Sequence, residues 1–291
     1  MALPSDLLLD LGRTLAGLLG PDERRRQVRA ELRLLPKLLG RTLPKILRGK
    51  FARHATLAHY VAEHARKRPA SAAILSAEQT LSFAELDARV NGVACTLGQF
   101  GLGPAAAIAL MALPSPAYLA LILGAARAGV GVSLISPALQ GELLRRALEA
   151  VSPALVVVEP EFESELAALG IRCASYAGQS EFARRIEGNQ GRSFEPARVP
   201  VSADYVYIFT SGTTGFPKAC RVTHERALLA ASVFSELIFE FEPGDRLYAP
   251  LPLHHSSALL LGAGSCIMAG VPIILRRRFS ASEFWGDVAR F

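Results

Sequence analysis

Tyr207-Ile208-Phe209-Thr210-Ser211-Gly212-Thr213-Thr214-Gly215-Phe216-Pro217-Lys218 joins an apolar run to a turn crowded with polar groups. Four hydroxyls (Thr210, Ser211, Thr213, Thr214), two glycines (Gly212, Gly215) and one ammonium (Lys218) follow one another there. Glycine lets the backbone aim successive N–H groups at an anion, hydroxyls add donors, and lysine supplies the countercharge. The turn is suited to phosphate. Its spacing, Gly-x-x-Gly-x-x-Lys, is not the Gly-x-x-x-x-Gly-Lys-Ser/Thr of the P-loop. Pro217 removes a donor just before the lysine, and Ala219 stands where the metal-facing hydroxyl belongs, which argues against kinase and GTPase readings.

Around this turn, apolar strands alternate with helical patterns. The expected elements are Ala72–Leu75, a helix over Phe83–Phe100, Ala106–Ala112, a helix over Ala117–Ala128, Gly131–Ile135, a helix over Gly141–Ala150, and Leu155–Val158. After a polar stretch read as a loop (178–201) come Tyr205–Phe209, Arg221–Val222, a helix over Glu225–Phe239, Leu247–Leu251, a helix over Ser257–Ala269, and Val271–Leu275. The alternation predicts an α/β fold of mostly parallel strands covered by helices. A phosphate turn at the carboxyl end of a strand is where open α/β sheets bind ligands. Thr223 is expected to cap a helix, with His224 in its first turn. His254 and His255 close a strand at the same edge; no third ligand lies at helical spacing, so no metal site is expected.

The chain has 291 residues, 51% hydrophobic and 20% charged, which is a globular composition. Eleven of the 32 Lys/Arg and five of the 26 Asp/Glu lie in residues 1–50, leaving 21 of each elsewhere, so the net charge of +6 belongs to that segment. It contains no aromatic residue and no nucleic-acid reader motif, so nucleic acid is not an expected partner. Cys95, Cys173, Cys220 and Cys266 are scattered without metal spacing and read as reduced thiols of a cytoplasmic protein. The uncharged stretch 90–126 is cut by Gly101, Gly103, Pro104, Pro114 and Pro116 into pieces too short to span a bilayer. Asp6 and Asp10 interrupt the first apolar run, which argues against a secretory signal.

Residues 1–52 read as a basic amphipathic segment. Leu7, Leu8, Leu11, Leu15, Leu18 and Leu19 recur at helical spacing after Ser5, and Gly20-Pro21 stops the run. A near-repeat follows, Leu35-Pro36-Lys37-Leu38-Leu39-Gly40-Arg41-Thr42 and Leu43-Pro44-Lys45-Ile46-Leu47-Arg48-Gly49-Lys50. Short leucine-rich basic helices suit the surface of an anionic leaflet, so peripheral membrane contact through residues 1–50 is expected; packing on the rest of the chain is the alternative.

The 207–218 string resembles the phosphate-binding signature of the adenylate-forming (AMP-binding) superfamily. Leu251-Pro252-Leu253-His254-His255-Ser256 is similar to a Leu-Pro-Leu-Tyr-His-Ser segment of the fatty acid transport proteins, which are very-long-chain acyl-CoA synthetases. Arg277-Arg278-Phe279-Ser280-Ala281-Ser282-Glu283-Phe284-Trp285 is similar to their Lys-Lys-Phe-Ser-Ala-Ser-x-Phe-Trp. The resemblance implies that residues 53–291 are the amino-terminal part of the large domain of such an enzyme, incomplete at the carboxyl end. It implies activation of a long- or very-long-chain fatty acid through acyl-AMP, with ATP, magnesium and coenzyme A. Thr210, Ser211, Gly212, Thr213, Thr214, Gly215 and Lys218 would hold the phosphates. His255 would lie near the acyl and adenylate site, where a backbone-bonded structural histidine is the alternative; His254 replaces a family tyrosine.

Ser280 and Glu283 read as a capping box that opens a helix. The chain stops inside that helix, before the family's acidic adenine and magnesium motif, ribose-binding aspartate, hinge and small carboxy-terminal domain. No catalytic residue is therefore assignable. The chain alone is expected to make no acyl-adenylate, and a second polypeptide is expected to supply the missing half. A non-catalytic remnant binding lipid, membrane or nucleotide is the competing expectation.

Overall fold

The computed structural model describes residues 51–211 and 217–291, with only the backbone of Ser211. The expected helices and near-repeat of residues 1–50, and Gly212 to Phe216, lie outside the described residues. The strands are β1 (Ala72–Leu75), β2 (Thr80–Ser82), β3 (Ala107–Met111), β4 (Gly131–Ile135), β5 (Leu155–Val158), β6 (Ala174–Ser175), β7 (Asp204–Ser211), β8 (Pro217–Thr223), β9 (Leu247–Ala249) and β10 (Ile273–Leu275). The α-helices are α1 (Leu57–Lys67), α2 (Phe83–Gln99), α3 (Pro116–Ala128), α4 (Gly141–Glu149), α5 (Glu163–Ala168), α6 (Glu181–Asn189), α7 (His224–Val233), α8 (Gly264–Ala269) and α9 (Phe284–Arg290).

Two mixed, mostly parallel sheets result. One has the order β2-β1-β10-β9 and the other β6-β5-β3-β4-β7-β8. Only the β1–β2 and β7–β8 pairs are antiparallel. Side chains alternate across the six-stranded sheet with the period of two that a strand imposes. Ile108, Leu110, Val132, Leu134 and Val157 point into a core shared with Ile273 and Leu275 of the smaller sheet. Ala109, Met111, Ile135, Val156 and Val158 face a second core against Leu144, Ala147 and Leu148 of α4 and Leu166 of α5. Burial on both faces explains why these strands read as unbroken apolar runs.

Helix α3 crosses the shared core and is buried on nearly every side. Its sequence shows the cause, with apolar residues all round and no charge before Arg127. Tyr118 N–H bonds to Ser115 Oγ at its start, Pro116 opens the first turn, and Gly129 (φ 76°) ends it. Gly124 lets α2 approach: a Cβ there would lie 2.5 Å from Val93 Cβ. Arg127, 3% exposed, donates to Asp87 Oδ1 at 2.6 Å, Asn91 Oδ1 at 2.7 Å and the Ala58 carbonyl at 2.9 Å, tying α3 to α2 and α1.

The uncharged 90–126 stretch resolves into the end of α2, β3 and most of α3. Three expectations need correction. The polar 178–201 stretch contains α6, because Ser180 Oγ caps it and Phe182 anchors it in the shared core. Asn189, also buried, donates to Thr96 Oγ1. Ser257–Ala263 is π-helical before α8 begins, in a run where Gly262 and Gly264 weaken the α-helical preference. Ser280 and Glu283 form no capping box: Glu283 Oε2 accepts from Arg276 Nη2 at 2.7 Å, and α9 starts only at Phe284.

Candidate functional site

Five strands, three from the larger sheet and two from the smaller, point their carboxyl ends at one cavity of about 790 Å³. Leu113 follows β3, Ser136-Pro137-Ala138 follows β4, and Phe162 lies just beyond β5. Pro250-Leu251-Pro252 with His254 and His255 follows β9, and Arg277-Arg278-Phe279 follows β10. The prolines end the strands, since each lacks the N–H that pairing requires. Aliphatic, aromatic and proline side chains thus form most of the wall, with two imidazoles and two guanidinium groups among them. The volume falls within the range of roughly 300–1,000 Å³ typical of small-molecule pockets.

One ion-paired group spans the two sheets at this cavity. Arg277 Nη1 donates to Glu159 Oε1 at 2.7 Å and Nη2 to Glu161 Oε1 at 3.3 Å. Glu159 Oε2 accepts from the Leu113 backbone N–H at 2.9 Å. The ends of β3, β5 and β10 are therefore joined through one carboxylate. Glu159 and Glu161 were not singled out from the sequence; a glutamate directly before Pro160 at the end of an apolar strand was the only local signal.

His254 and His255 stack with ring centroids 4.4 Å apart. Burial, with a smaller contribution from His255, pushes the His254 imidazole down to about 4, so it is neutral at neutral pH. His255 is exposed rather than partly buried, and both imidazoles face the cavity. The neutral His254 imidazole offers one donor and one acceptor to a polar head group.

The β7–β8 pair lies beside β4 and carries the rest of the sequence signature. Thr210 is the cross-strand partner of Lys218, so the hydroxyl and the ammonium share a face. Both are exposed, and Thr210 Oγ1 lies 3.9 Å from Cys220 Sγ on that face. Gly212, Thr213, Thr214 and Gly215 lie outside the described residues, as does the side chain of Ser211. Thr210 and Lys218 do not line the cavity among the described residues; Thr210, on β7, lies one strand and Lys218, on β8, two strands beyond the cavity-lining β4, at the same edge of the sheet. Thr223 caps α7 through the Arg226 N–H, as its position predicted. His224 begins that helix and is buried against Tyr205, ring centroids 5.1 Å apart.

Among the described residues no group of three His, Cys, Asp or Glu side chains could hold a metal. The carboxylates nearest the cavity are engaged by Arg277, so the donor set there does not fit magnesium. No helix among the described residues is long and apolar enough to cross a membrane.

Comparison with known proteins places this geometry. The profile of the AMP-binding enzyme family matches residues 61–291. The medium/long-chain-fatty-acid–CoA ligase FadD6 of Mycobacterium tuberculosis is 33% identical over 218 residues, covering 72% of this chain and 36% of that protein. Long-chain fatty acid transport protein 2 of Rattus norvegicus is 30% identical over 253 residues, covering 81% and 40%. The chain therefore spans little more than a third of these relatives. Among solved structures, the N-terminal domain of FACL13 from Mycobacterium tuberculosis superposes with a TM-score of 0.73 at 23% identity, over 81% of this chain and 60% of that one. ATP-bound MatB from Rhodopseudomonas palustris superposes with a TM-score of 0.70 at 25% identity, over 80% and 48%. The chain belongs to the AMP-binding enzyme family, with fatty acid–CoA ligases and long-chain fatty acid transport proteins among its relatives.

Proposed function

We propose that residues 53–291 form the amino-terminal part of the adenylation domain of an ATP-dependent fatty acid–CoA ligase. In this reading the cavity takes the acyl chain and the Thr210–Lys218 signature takes the phosphates of ATP. The observation that carries it is the convergence of five strand ends on a largely apolar cavity at the same sheet edge as the Thr210–Lys218 pair of the neighbouring β7–β8 strands.

The chemical difficulty of the reaction is electrostatic, because a carboxylate must attack the α-phosphate of a polyanion. The Lys218 ammonium, the hydroxyls of Thr210, Ser211, Thr213 and Thr214, and the amides of Gly212 and Gly215 would hold the β- and γ-phosphates and offset their charge. Leu113, Ala138, Phe162 and Leu251 would bury the methylene chain, while His254 and His255 would meet its polar head. In a complete ligase magnesium would screen the phosphate charge and coenzyme A would take the acyl group. In this reading residues 1–291 bind both substrates, and a further segment or a second polypeptide completes adenylation. Residues 1–52 would hold the protein at the cytoplasmic surface of a membrane.

Titration with a fluorescent long-chain fatty acid tests the acyl assignment. Saturable binding, displaced by unlabelled fatty acid and weakened at least tenfold in Ala138→Trp, is the expected result. Unaltered binding in a folded Ala138→Trp variant would remove the acyl chain from this cavity. Acyl-dependent exchange between ATP and pyrophosphate by the purified chain, abolished in Lys218→Ala, would overturn the statement that these residues do not complete adenylation.

A further inference from the structure

Where α2, α3 and α6 meet, the fold leaves a second cavity, of about 240 Å³, lined entirely by residues between Arg89 and Gln190. Two close approaches frame it. A Cβ at Gly124 of α3 would lie 2.5 Å from Val93 Cβ of α2, and a Cβ at Gly92 of α2 would lie 2.8 Å from the Ile186 carbonyl oxygen of α6. Val93 and Ile186 both line the cavity, and Ala117, Ala120 and Ala183 extend its apolar wall. The glycines draw the helices together, while the alanines leave a space between them that longer side chains would fill.

One half-buried cation enters this space. Arg89 of α2 lines it and donates from Nη2 to Gln79 Oε1 at 2.9 Å, a neutral acceptor. Among the described residues the rest of its guanidinium has no acceptor, and no carboxylate lies within ion-pair distance of it. Glu85, one turn earlier on α2, serves the helix start instead, where its Oε2 accepts from the Ser82 N–H at 2.8 Å. Burial accordingly pushes the Arg89 guanidinium below its ordinary value, with Glu85 opposing in part. Glu187 also lines the cavity, but it is exposed and makes no ion pair with Arg89. A partly desolvated guanidinium beside an apolar space is completed by a carboxylate brought from outside, which it can hold with two parallel N–H···O bonds. At about 30 Å³ for a water-sized unit, the space admits roughly eight non-hydrogen atoms, the size of hexanoate. A second negative charge on the ligand would meet Glu187.

We propose that this three-helix cavity is a binding site for a small aliphatic monocarboxylate, with the carboxylate on Arg89 and the alkyl chain against Val93, Leu121 and Ile186. The inference goes beyond the ligase reading and holds whatever occupies the cavity at the strand ends, since the two cavities share no lining residue.

The full chain is titrated with hexanoate and followed by calorimetry and by methyl NMR spectra. The expected result is saturable binding that shifts the methyl signals of Val93, Leu121 and Ile186. Arg89→Gln should weaken it about tenfold or more, the scale of a hydrogen bond to a charged group. Ala117→Leu, which fills the cavity from a position that is only partly buried, should abolish it. Ala138→Trp, in the other cavity, should leave it unchanged, and hexanol, which lacks the charge, should not compete. Hexanoate binding that survives in folded Arg89→Gln and Ala117→Leu variants but disappears in Ala138→Trp would overturn the proposal and place the acid in the strand-end cavity. Competition by hexanol as strong as by hexanoate itself would overturn it by removing Arg89 from recognition, as would the absence of saturable binding to the folded wild-type chain at millimolar hexanoate. Long-chain fatty acid binding, measured separately in Ala138→Trp, decides the ligase reading independently of these outcomes.

Discussion

Arg277, two residues beyond β10 of the four-stranded sheet, donates from Nη1 to Oε1 of Glu159, the residue after β5 of the six-stranded sheet, at 2.7 Å. The same Glu159 holds the Leu113 N–H beyond β3, so one ion pair joins two sheets at the rim of the cavity. Its side chains are 40% and 13% exposed, so the surrounding water weakens but does not abolish it.

Removing Glu159 therefore has two effects, on the ion pair and on the Leu113 N–H. Glu159→Ala is expected to lower stability by about 1–3 kcal/mol, and Arg277→Ala by about 1 kcal/mol. The double variant should lose less than the sum, because the two share an interaction. Urea unfolding of all four proteins of the cycle measures this; strict additivity would show that the clamp carries no energy. Fatty acid binding should weaken in the same variants if the clamp sets the cavity's shape.

Lys218 is exposed and opposite Thr210 on the β7–β8 pair, so its loss would remove the phosphate contact proposed for it without opening the core. Lys218→Ala should weaken ATP binding about tenfold or more, the scale of a hydrogen bond to a charged group, with the thermal midpoint unchanged within a degree or two. Isothermal titration with ATP decides it. Equal affinity in the two proteins would remove Lys218 from the phosphate site.

Arg127 lies 3% exposed with Asp87 as its carboxylate partner at 2.6 Å. Asp87→Ala leaves a buried guanidinium without its counter-ion and should cost about 3–5 kcal/mol. Asp87→Asn keeps an acceptor for the guanidinium and should cost less. Denaturant midpoints distinguish the two, and equal losses would show that the charge, not the hydrogen bond, is what matters.

Burial pushes the His224 imidazole down to about 4, with His59 adding to the effect and Asp204 opposing it. The fold thus holds the neutral form, while the unfolded chain takes up its proton near pH 6.5. Stability from this residue is fully present above about pH 6.5 and is lost as pH falls toward 4, by at most about 3 kcal/mol. His224→Phe, which can occupy the place beside Tyr205 without titrating, should flatten that part of the stability profile. An unchanged slope between pH 6.5 and 4 would assign the acid sensitivity to other groups, such as His254.

Much of the fold was legible locally. Strands Ala72–Leu75, Gly131–Ile135 and Leu155–Val158 occur with the bounds their apolar runs predict, and the α3 and α4 helices begin or end within a residue of expectation. Periodicity, proline and glycine stops and serine caps act over a few residues and are written where they act. The misses are places where a distant group overrides the local pattern. Glu283 could have capped a helix with Ser280, but Arg276, held also by Asp287, takes its carboxylate. Polar residues hid α6 because its anchors, Phe182 and Asn189, find their partners far back along the chain.

By itself the sequence determined the alternation of strands and helices, the segregation of basic charge into residues 1–50, and family membership. Only the tertiary structure decided that five strand ends meet at one cavity, that His255 is exposed while His224 is buried, and that Trp285 stands out beside the cavity mouth. The physical reason is distance along the chain. Glu159 and Arg277 are 118 residues apart and share no local signal, and only parallel packing of two sheets brings their strand ends together.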